Sequence, residues 1–221
     1  MAINHYTPAQ AAAITGLPLA AVHKAIDTRI IKPRTTREAR TVRRLLSKEQ
    51  IVYLQLEAEG LRLLPLKARH EVADRVQTSA AIDIIHLGGK GVVLVEVKSA
   101  RRKVEKGLSR LARVEKMVVS NPEILSGTPV YRGTRIPVQL VADMLEQGAG
   151  IEEILEGYPS LNKANVELAS IYVRAFPRRG RPARRPWTKA VLGHTRRAAS
   201  FAARREPPPE NSLRAARVSK R

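Results

Sequence analysis

Three residues in the middle of the chain have types and a spacing that could support phosphodiester hydrolysis. Asp83 lies beside one apolar run, and Glu96 and Lys98 flank Val97 at the end of the next. Carboxylates of this kind can hold Mg²⁺, and a lysine can stabilise the attacking water or the phosphate. The spacing is short and common, and such a site needs several more strands than the two predicted here. We therefore expect no catalytic residue and no enzyme activity.

Metal-ligating and nucleophilic patterns are also missing from the sequence. The chain has no cysteine, which excludes disulfides, thiolate catalysis and cysteine-based zinc sites. Its five histidines (His5, His23, His70, His86 and His194) show no paired ligand spacing. Neither a nucleophile elbow nor a phosphate-binding glycine loop is present. We expect no metal site and no cofactor.

The charge of the chain points instead to an acidic or polyanionic partner. Lys and Arg total 40 against 20 Asp and Glu, a net charge of +20. Residues 174–221 carry +13 of this, and residues 1–75 carry +6. A positive excess of this size steers polyanions and binds them through salt-dependent contacts. Operator DNA is the partner expected for the amino-terminal part.

The elements that would present this charge begin with two short helices. Thr7-Pro8 is a helix start, and Gly16-Leu17-Pro18 ends the first helix and begins the second. Val22 and Ile26 lie on one apolar stripe, which leaves His23 and Lys24 on the other side. Two helices around a glycine-containing turn are typical of a helix-turn-helix, whose second helix enters the major groove. His23 and Lys24 are therefore the candidate base readers.

A basic run follows the second helix and is interpreted as a wing or connector. Its arginines are candidate phosphate contacts, which position a protein on DNA without reading sequence: Arg34, Arg37, Arg40, Arg43 and Arg44. A small helical protein-binding domain is the alternative for this region. Ser47 with Gln50 then forms a capping-box pattern that opens another helix, and one more helix follows near residues 67–76.

Hydrophobic periodicity changes between residues 81 and 97. Ile82 and Ile84, then Val93, Val95 and Val97, alternate on either side of a glycine cluster, which predicts a β-hairpin. A basic helix over about 102–115 leads to a turn-rich leader at residues 121–138. Three short helices follow the leader, with Asn162 as an N-cap of the last.

Two arginines stand on the leader, between glycines and prolines that shape turns. Arg132 and Arg135 could grip carboxylates or phosphates in a bidentate manner. A solvated or intramolecular salt bridge is the other interpretation. Gly127 and Gly133 are expected to have positive φ.

Residues 118–182 closely resemble an uncharacterised bacterial domain family found in VapB-type antitoxins, and residues 5–75 resemble, more loosely, the helix-turn-helix of MerR-type regulators. The resemblance implies a type II antitoxin that represses its own operon and neutralises a PIN-domain ribonuclease toxin. It makes Arg132 and Arg135 candidate toxin contacts. Two alternatives stay open: a transcription regulator without a toxin partner, and a Mg²⁺-dependent PD-(D/E)xK-type nuclease that uses Asp83, Glu96 and Lys98.

The same resemblance suggests a task for the basic tail. A PIN nuclease holds its metal with clustered carboxylates, which a flexible cationic segment could occupy. The candidate residues are Arg178, Arg179, Arg181, Arg184, Arg185 and Trp187. A solvated charge run is the alternative. Residues 188–221 depart from the family pattern, and their low apolar content predicts disorder.

These observations predict a mainly α protein with a small β-hairpin. An N-terminal (winged) helix-turn-helix would occupy 1–76, a hairpin and connecting helix 80–117, a homeodomain-like trihelical domain 118–176 and a basic tail 177–221. Because no signal peptide or long apolar run is visible, we expect a cytoplasmic protein without membrane contact. It would be a homodimer through the middle region, or a larger hetero-oligomer with the toxin.

Overall fold

A computed structural model describes residues 5–38, 41–88 and 93–177, and in these ranges the chain is mainly helical, as predicted. The helices are α1 (Pro8–Thr15), α2 (Leu19–Asp27), α3 (Lys48–Ala58), α4 (Leu66–Thr78), α5 (Val97–Met117), α6 (Val138–Glu146), α7 (Ile151–Gly157) and α8 (Lys163–Ala175). The strands are β1 (Arg34–Glu38), β2 (Thr41–Leu45), β3 (Ile84–Leu87), β4 (Val93–Glu96), β5 (Val118–Val119) and β6 (Val130–Tyr131). They pair in sequence order as three antiparallel two-stranded sheets, where the sequence predicted one hairpin.

Local side-chain chemistry sets the helix starts. Thr7 caps α1 and Ser47 caps α3, each in a capping box with the glutamine three residues later. Asn162 caps α8 by accepting from the Asn165 backbone N–H at 2.9 Å. Each cap satisfies amide groups that have no partner inside the helix. All three starts were predicted from the sequence.

Between residues 5 and 46, the described part of the chain forms two short helices, α1 and α2, followed by the β1–β2 hairpin. Gly16, with φ of 77°, ends α1 in the left-handed conformation and lets the chain turn into α2. The basic run after α2 forms the antiparallel β1–β2 hairpin, which is called the wing below. Leu46 closes the base of the wing through two backbone hydrogen bonds to Tyr6, at 2.9 and 2.8 Å.

One apolar core joins α1 to α4 with the β3–β4 hairpin and the first turns of α5. Tyr53, Ile51 and Leu54 of α3 are fully buried at its centre. Ile85 and Val95, a cross-strand pair of the hairpin, are buried on its inner face. The hairpin is therefore part of the wall of this first core.

Helix α5 is longer than predicted and links the first core to the rest of the fold. Val97 continues the β-like alternation of residues 93–97 in the sequence, yet it is already helical and fully buried. Helix α5 ends at Met117, and β5 then pairs with β6 across the turn-rich leader. Gly127 and Gly133 there have φ of 80° and 78°, as expected.

A second core lies between α6, α7 and α8 and confirms the three helices predicted after the leader. Val138, Val141, Ile154 and Val166 are fully buried in it. Helix α8 also packs against α1 and α5. None of the helices in the described ranges is both long and apolar enough to cross a bilayer.

Candidate nucleic-acid interface

Helix α2 has one buried and one open face. Val22, Ala25 and Ile26 are buried, whereas Lys24 is exposed and His23 is half-buried. Because α2 has 3.6 residues per turn, His23 and Lys24 flank the face that also carries Asp27. The two predicted base readers therefore lie on the accessible side of the second helix.

The wing is tied to this helix by an ion pair. The Arg44 Nη1 atom lies 3.2 Å from Asp27 Oδ1, and both side chains are about half exposed. An exposed pair of this kind contributes only about 0–1 kcal/mol to stability. Its effect is to orient the wing beside the C-terminal end of α2. Asp27 was not among the predicted site residues, because nothing in the sequence shows which basic residue it meets.

The predicted phosphate contacts do not share one surface. Register pairs Thr36 with Arg43 and Thr35 with Arg44, so alternate residues face opposite sides of the hairpin. Arg34 and Arg43 lie on one side, and Arg37 and Arg44 lie on the other. Arg40 is outside the described residues. The wing therefore presents two pairs of arginines rather than a single row of five.

A buried polar network holds the helices behind the wing. Glu57 of α3, only 4% exposed, accepts from the Tyr53 hydroxyl at 2.5 Å and from Arg69 Nε of α4 at 3.1 Å, with a second contact from the same guanidinium. Burial, reinforced by the neighbouring Glu57 carboxylate, raises the pKa of Tyr53 above its usual value of 10.0. The network fixes α3 against α4 and touches no candidate site residue.

The potential nuclease residues form a structural contact. Lys98 lies in the first turn of α5 rather than on a strand, and its Nζ atom is 3.4 Å from Asp83 Oδ2. The Asp83 carbonyl also accepts from the backbone N–H of Val97, at 2.8 Å. Glu96 is exposed and pairs in register with Ile84. Within the described ranges, no three His, Asp or Glu side chains are grouped closely enough to hold a metal.

The two leader arginines differ in their surroundings. Arg132 donates through its backbone N–H to the Met117 carbonyl at 2.8 Å and through Nε to the Lys116 carbonyl at 2.9 Å. These bonds provide donors for two carbonyl groups at the end of α5, which have no partner inside the helix. Arg132 therefore stabilises the C-terminal end of α5. Arg135 is exposed, and no hydrogen bond or ion pair of its side chain is found in the described part of the chain. Arg178, Arg179, Arg181, Arg184, Arg185 and Trp187 lie outside the described residues.

Comparison with known proteins shows a similarity for part of the chain. Residues 118–173 are similar to DUF433, a protein family of unknown function. The chain is 44% identical over 87 residues to the uncharacterized protein y4eO of Sinorhizobium fredii, and the alignment covers 39% of either protein. The chain thus spans about two fifths of that relative. The chain is also similar to the crystal structure of Rv2018 from Mycobacterium tuberculosis, with a sequence identity of 16% and a TM-score of 0.31. The superposition covers 75% of this chain and 96% of the Rv2018 chain. The family similarity is therefore established for β5 to α8 alone.

Proposed function

We propose that the protein is a non-catalytic DNA-binding regulator that contacts operator DNA through α2 and the wing. One observation carries this proposal: the open face of α2, with Lys24, is held beside a hairpin of arginines by the Arg44–Asp27 ion pair. A helix that reads the major groove with a flanking cationic wing is a common docking geometry. His23 and Lys24 would read bases. Arg37 and Arg44 on one side of the wing, and Arg34 and Arg43 on the other, would contact phosphates on the two sides of the wing.

The sequence before the basic tail divides into two parts of different charge, which supports this assignment. Residues 1–117 contain 22 Lys and Arg against 11 Asp and Glu, whereas residues 118–177 contain 4 against 7. Affinity for DNA comes largely from neutralised phosphates. The first half therefore suits DNA, and the trihelical segment does not.

We place the protein in the cytoplasm as a MerR-like autorepressor that binds as a dimer. A helix-turn-helix dimer requires two half-sites about 34–36 Å apart, or a multiple of that distance. The exposed apolar side chains around the hairpin offer a surface for a second copy, since patches of this kind mark association sites. They are Ile84 and Leu94, which share one face of the hairpin, and Val93 on its other face.

The antitoxin role is the more specific form of this proposal. The resemblance of residues 118–182 to domains of VapB-type antitoxins implies a PIN-domain toxin as the partner. Arg135 is a better candidate than Arg132 for a carboxylate on that toxin, because Arg132 already holds the end of α5. The tail arginines and Trp187 would occupy the acidic nuclease site. A regulator without a toxin stays the alternative.

Point variants test DNA binding better than removal of residues 1–75, because those residues share the first core with the hairpin and α5. Loss of a base-reading side chain typically costs about 1–3 kcal/mol, so Lys24→Ala with Arg37→Ala should weaken binding to the DNA upstream of its own reading frame at least fivefold. Lys163→Ala with Arg174→Ala removes the same charge from the trihelical segment and should change affinity little. Equal losses in both pairs would contradict the proposal.

The toxin assignment has its own test in the full chain. Arg135→Glu should weaken inhibition of a PIN-type ribonuclease encoded beside this protein, without altering DNA binding. Truncation after Phe176 should abolish inhibition, whereas truncation after Trp187 should preserve it. Full inhibition by the shorter chain would show that the tail is not required.

A further inference from the structure

Helix α5 has a basic surface that is not part of α2 or the wing. Val97, Ala100, Val104, Leu111 and Val114 form its buried stripe at intervals of three, four and seven residues. On the opposite face lies a crevice of about 480 Å³ whose lining is mainly cationic: Arg102, Glu105, Lys106, Ser109, Arg110 and Arg113. This set of six residues is called the α5 crevice below. It faces away from the core and is open to solvent.

The cations of the α5 crevice differ from three of the four other cations of the same helix. Lys98 pairs with Asp83, Lys103 pairs with Glu59 at 2.9 Å, and Arg101 donates to the Ser79 carbonyl at 3.0 Å. For the side chains of Arg102, Lys106, Arg110 and Arg113, the described part of the chain shows no hydrogen bond or ion pair. Three cations of α5 thus bind other parts of the same chain, whereas the four cations of the crevice lie together on one open surface.

Glu105, which supplies the carboxylate of the α5 crevice, forms an ion pair with a lysine that does not belong to the crevice. Glu105 Oε1 lies 2.8 Å from Lys48 Nζ, and this hydrogen bond and charge hold the pKa of Glu105 below its usual range. Because the charge of Lys48 offsets that of the ionised Glu105, the crevice keeps a net positive charge. An anionic ligand would meet four cations and one paired carboxylate.

The Lys48–Glu105 pair also places the α5 crevice next to the wing. Lys48 begins α3, three residues after the wing ends at Leu45. On another side of α5, the helix approaches the end of α1, where a Cβ on Gly107 would lie 2.7 Å from Ile14 Cγ2. The α5 crevice therefore lies on a helix that contacts both α1 and the start of α3 next to the wing.

From these contacts we infer that the α5 crevice is a second phosphate-binding surface, which receives the DNA backbone beyond the wing. This inference rests on the proposed function. Eleven residues of helix span about 16 Å from Arg102 to Arg113. Measured along the axis of the duplex, one strand of DNA carries about five phosphates over that length, one per 3.4 Å. The four cations match a run of backbone charges and provide no sequence selectivity.

The salt dependence of DNA binding by the full chain tests this inference. The probe is a 30-base-pair duplex of mixed sequence, for which phosphate contacts dominate. Each lost phosphate contact lowers the slope of log Kd against log salt by about 0.9, so the triple variant Arg102→Gln, Lys106→Gln, Arg113→Gln should lower it by up to about 2.7. The matched control Arg62→Gln, Lys67→Gln, Lys163→Gln removes three exposed charges elsewhere and should lower it much less. Arg102→Lys with Arg113→Lys should preserve the slope.

The outcomes separate this inference from the proposal on which it rests. A slope in the α5 triple variant equal to that of the control, with Arg37→Gln and Lys24→Gln still weakening binding, overturns the α5 site and leaves the helix-turn-helix in place. Unchanged slopes in all of these variants overturn both. Loss of an acidic protein partner by the α5 variant, with its DNA slope unchanged, also overturns the inference. Far-UV circular dichroism and melting temperature confirm that each variant is folded.

Discussion

The two cores of this protein differ in their content of buried polar side chains. All four side chains recorded as polar and buried in the described ranges (Thr15, Gln50, Gln55 and Glu57) belong to α1 and α3, and none lies between α6, α7 and α8. The first core thus combines apolar packing with a buried charged network, and the second depends on apolar contacts and helix caps. Buried polar groups carry a large desolvation cost unless they are paired. Stability in the first half should therefore be concentrated in a few residues, and in the second half it should be spread evenly.

The largest effect should come from breaking the buried network. Glu57→Ala leaves the Arg69 guanidinium, whose side chain is 14% exposed, without its carboxylate. Removal of one partner from a buried pair costs about 3–5 kcal/mol. Urea unfolding of the full chain measures this loss. The control is Glu71→Ala, which breaks the exposed Glu71–Arg75 pair and should cost only about 0.3–0.5 kcal/mol. Equal losses would show that the network is not a special feature of the first core.

Close packing at Gly107 gives the next effect. Gly107→Ala would place a methyl group 2.7 Å from Ile14 Cγ2 and 3.3 Å from the Ile14 carbonyl oxygen. Overpacking costs about 1–3 kcal/mol, against a gain of about 1 kcal/mol in helix propensity. Gly157→Ala in α7 has open space and should show only the gain. A double-mutant cycle with Ile14→Ala measures the clash, and zero coupling energy would contradict the approach of α1 to α5.

The loss of stability at high pH should depend on one buried tyrosine in each core. Burial raises the pKa of both Tyr53 and Tyr131 above the usual value of 10.0. Since the folded pKa is the higher one, stability is intact below pH 10 and falls as pH rises above it, by about 1.4 kcal/mol per tyrosine for each pH unit. Unfolding free energies between pH 8 and 11 measure the fall, and Tyr53→Phe or Tyr131→Phe should each make it shallower. A profile that neither substitution changes would refute this prediction.

Helix caps should show the smallest difference between the two halves. Ser47→Ala removes the cap of α3 and Asn162→Ala that of α8, and each should cost about 1 kcal/mol. The similar cost is expected because capping is a local interaction that does not depend on the surrounding core. Chemical unfolding of both variants tests this, with Ser47→Thr and Asn162→Asp as controls that retain a capping oxygen. A much larger loss at Asn162 would mean that the second core depends on that cap.

Features that depend on neighbouring residues were predictable from the sequence, and contacts between distant segments were not. Thr7, Ser47 and Asn162 were identified as caps because the capping signal lies within three residues. The start of α5 was missed because Val97 continues the alternation of β4 until the chain turns into a helix. The β5–β6 pair was missed because two residues on each strand are too short to give a period.

The candidate site follows the same division. Exposure of Lys24 follows from helical periodicity, which a sequence displays directly. The division of Arg34, Arg37, Arg43 and Arg44 between two sides of the wing depends on register. The hydrogen bond from Arg132 to the Lys116 carbonyl joins residues sixteen apart, and no pattern in the sequence predicts that pairing.

The contact of α8 with α1 links the two halves mechanically. Helix α1 supports α2, and α8 packs against α1 on the side of the trihelical segment. A protein that binds the trihelical segment and favours one position of α8 would therefore also bias the helix behind the proposed DNA-binding surface. Thermodynamic linkage makes such coupling reciprocal, so DNA would alter the affinity for that protein by the same factor as the protein alters the affinity for DNA.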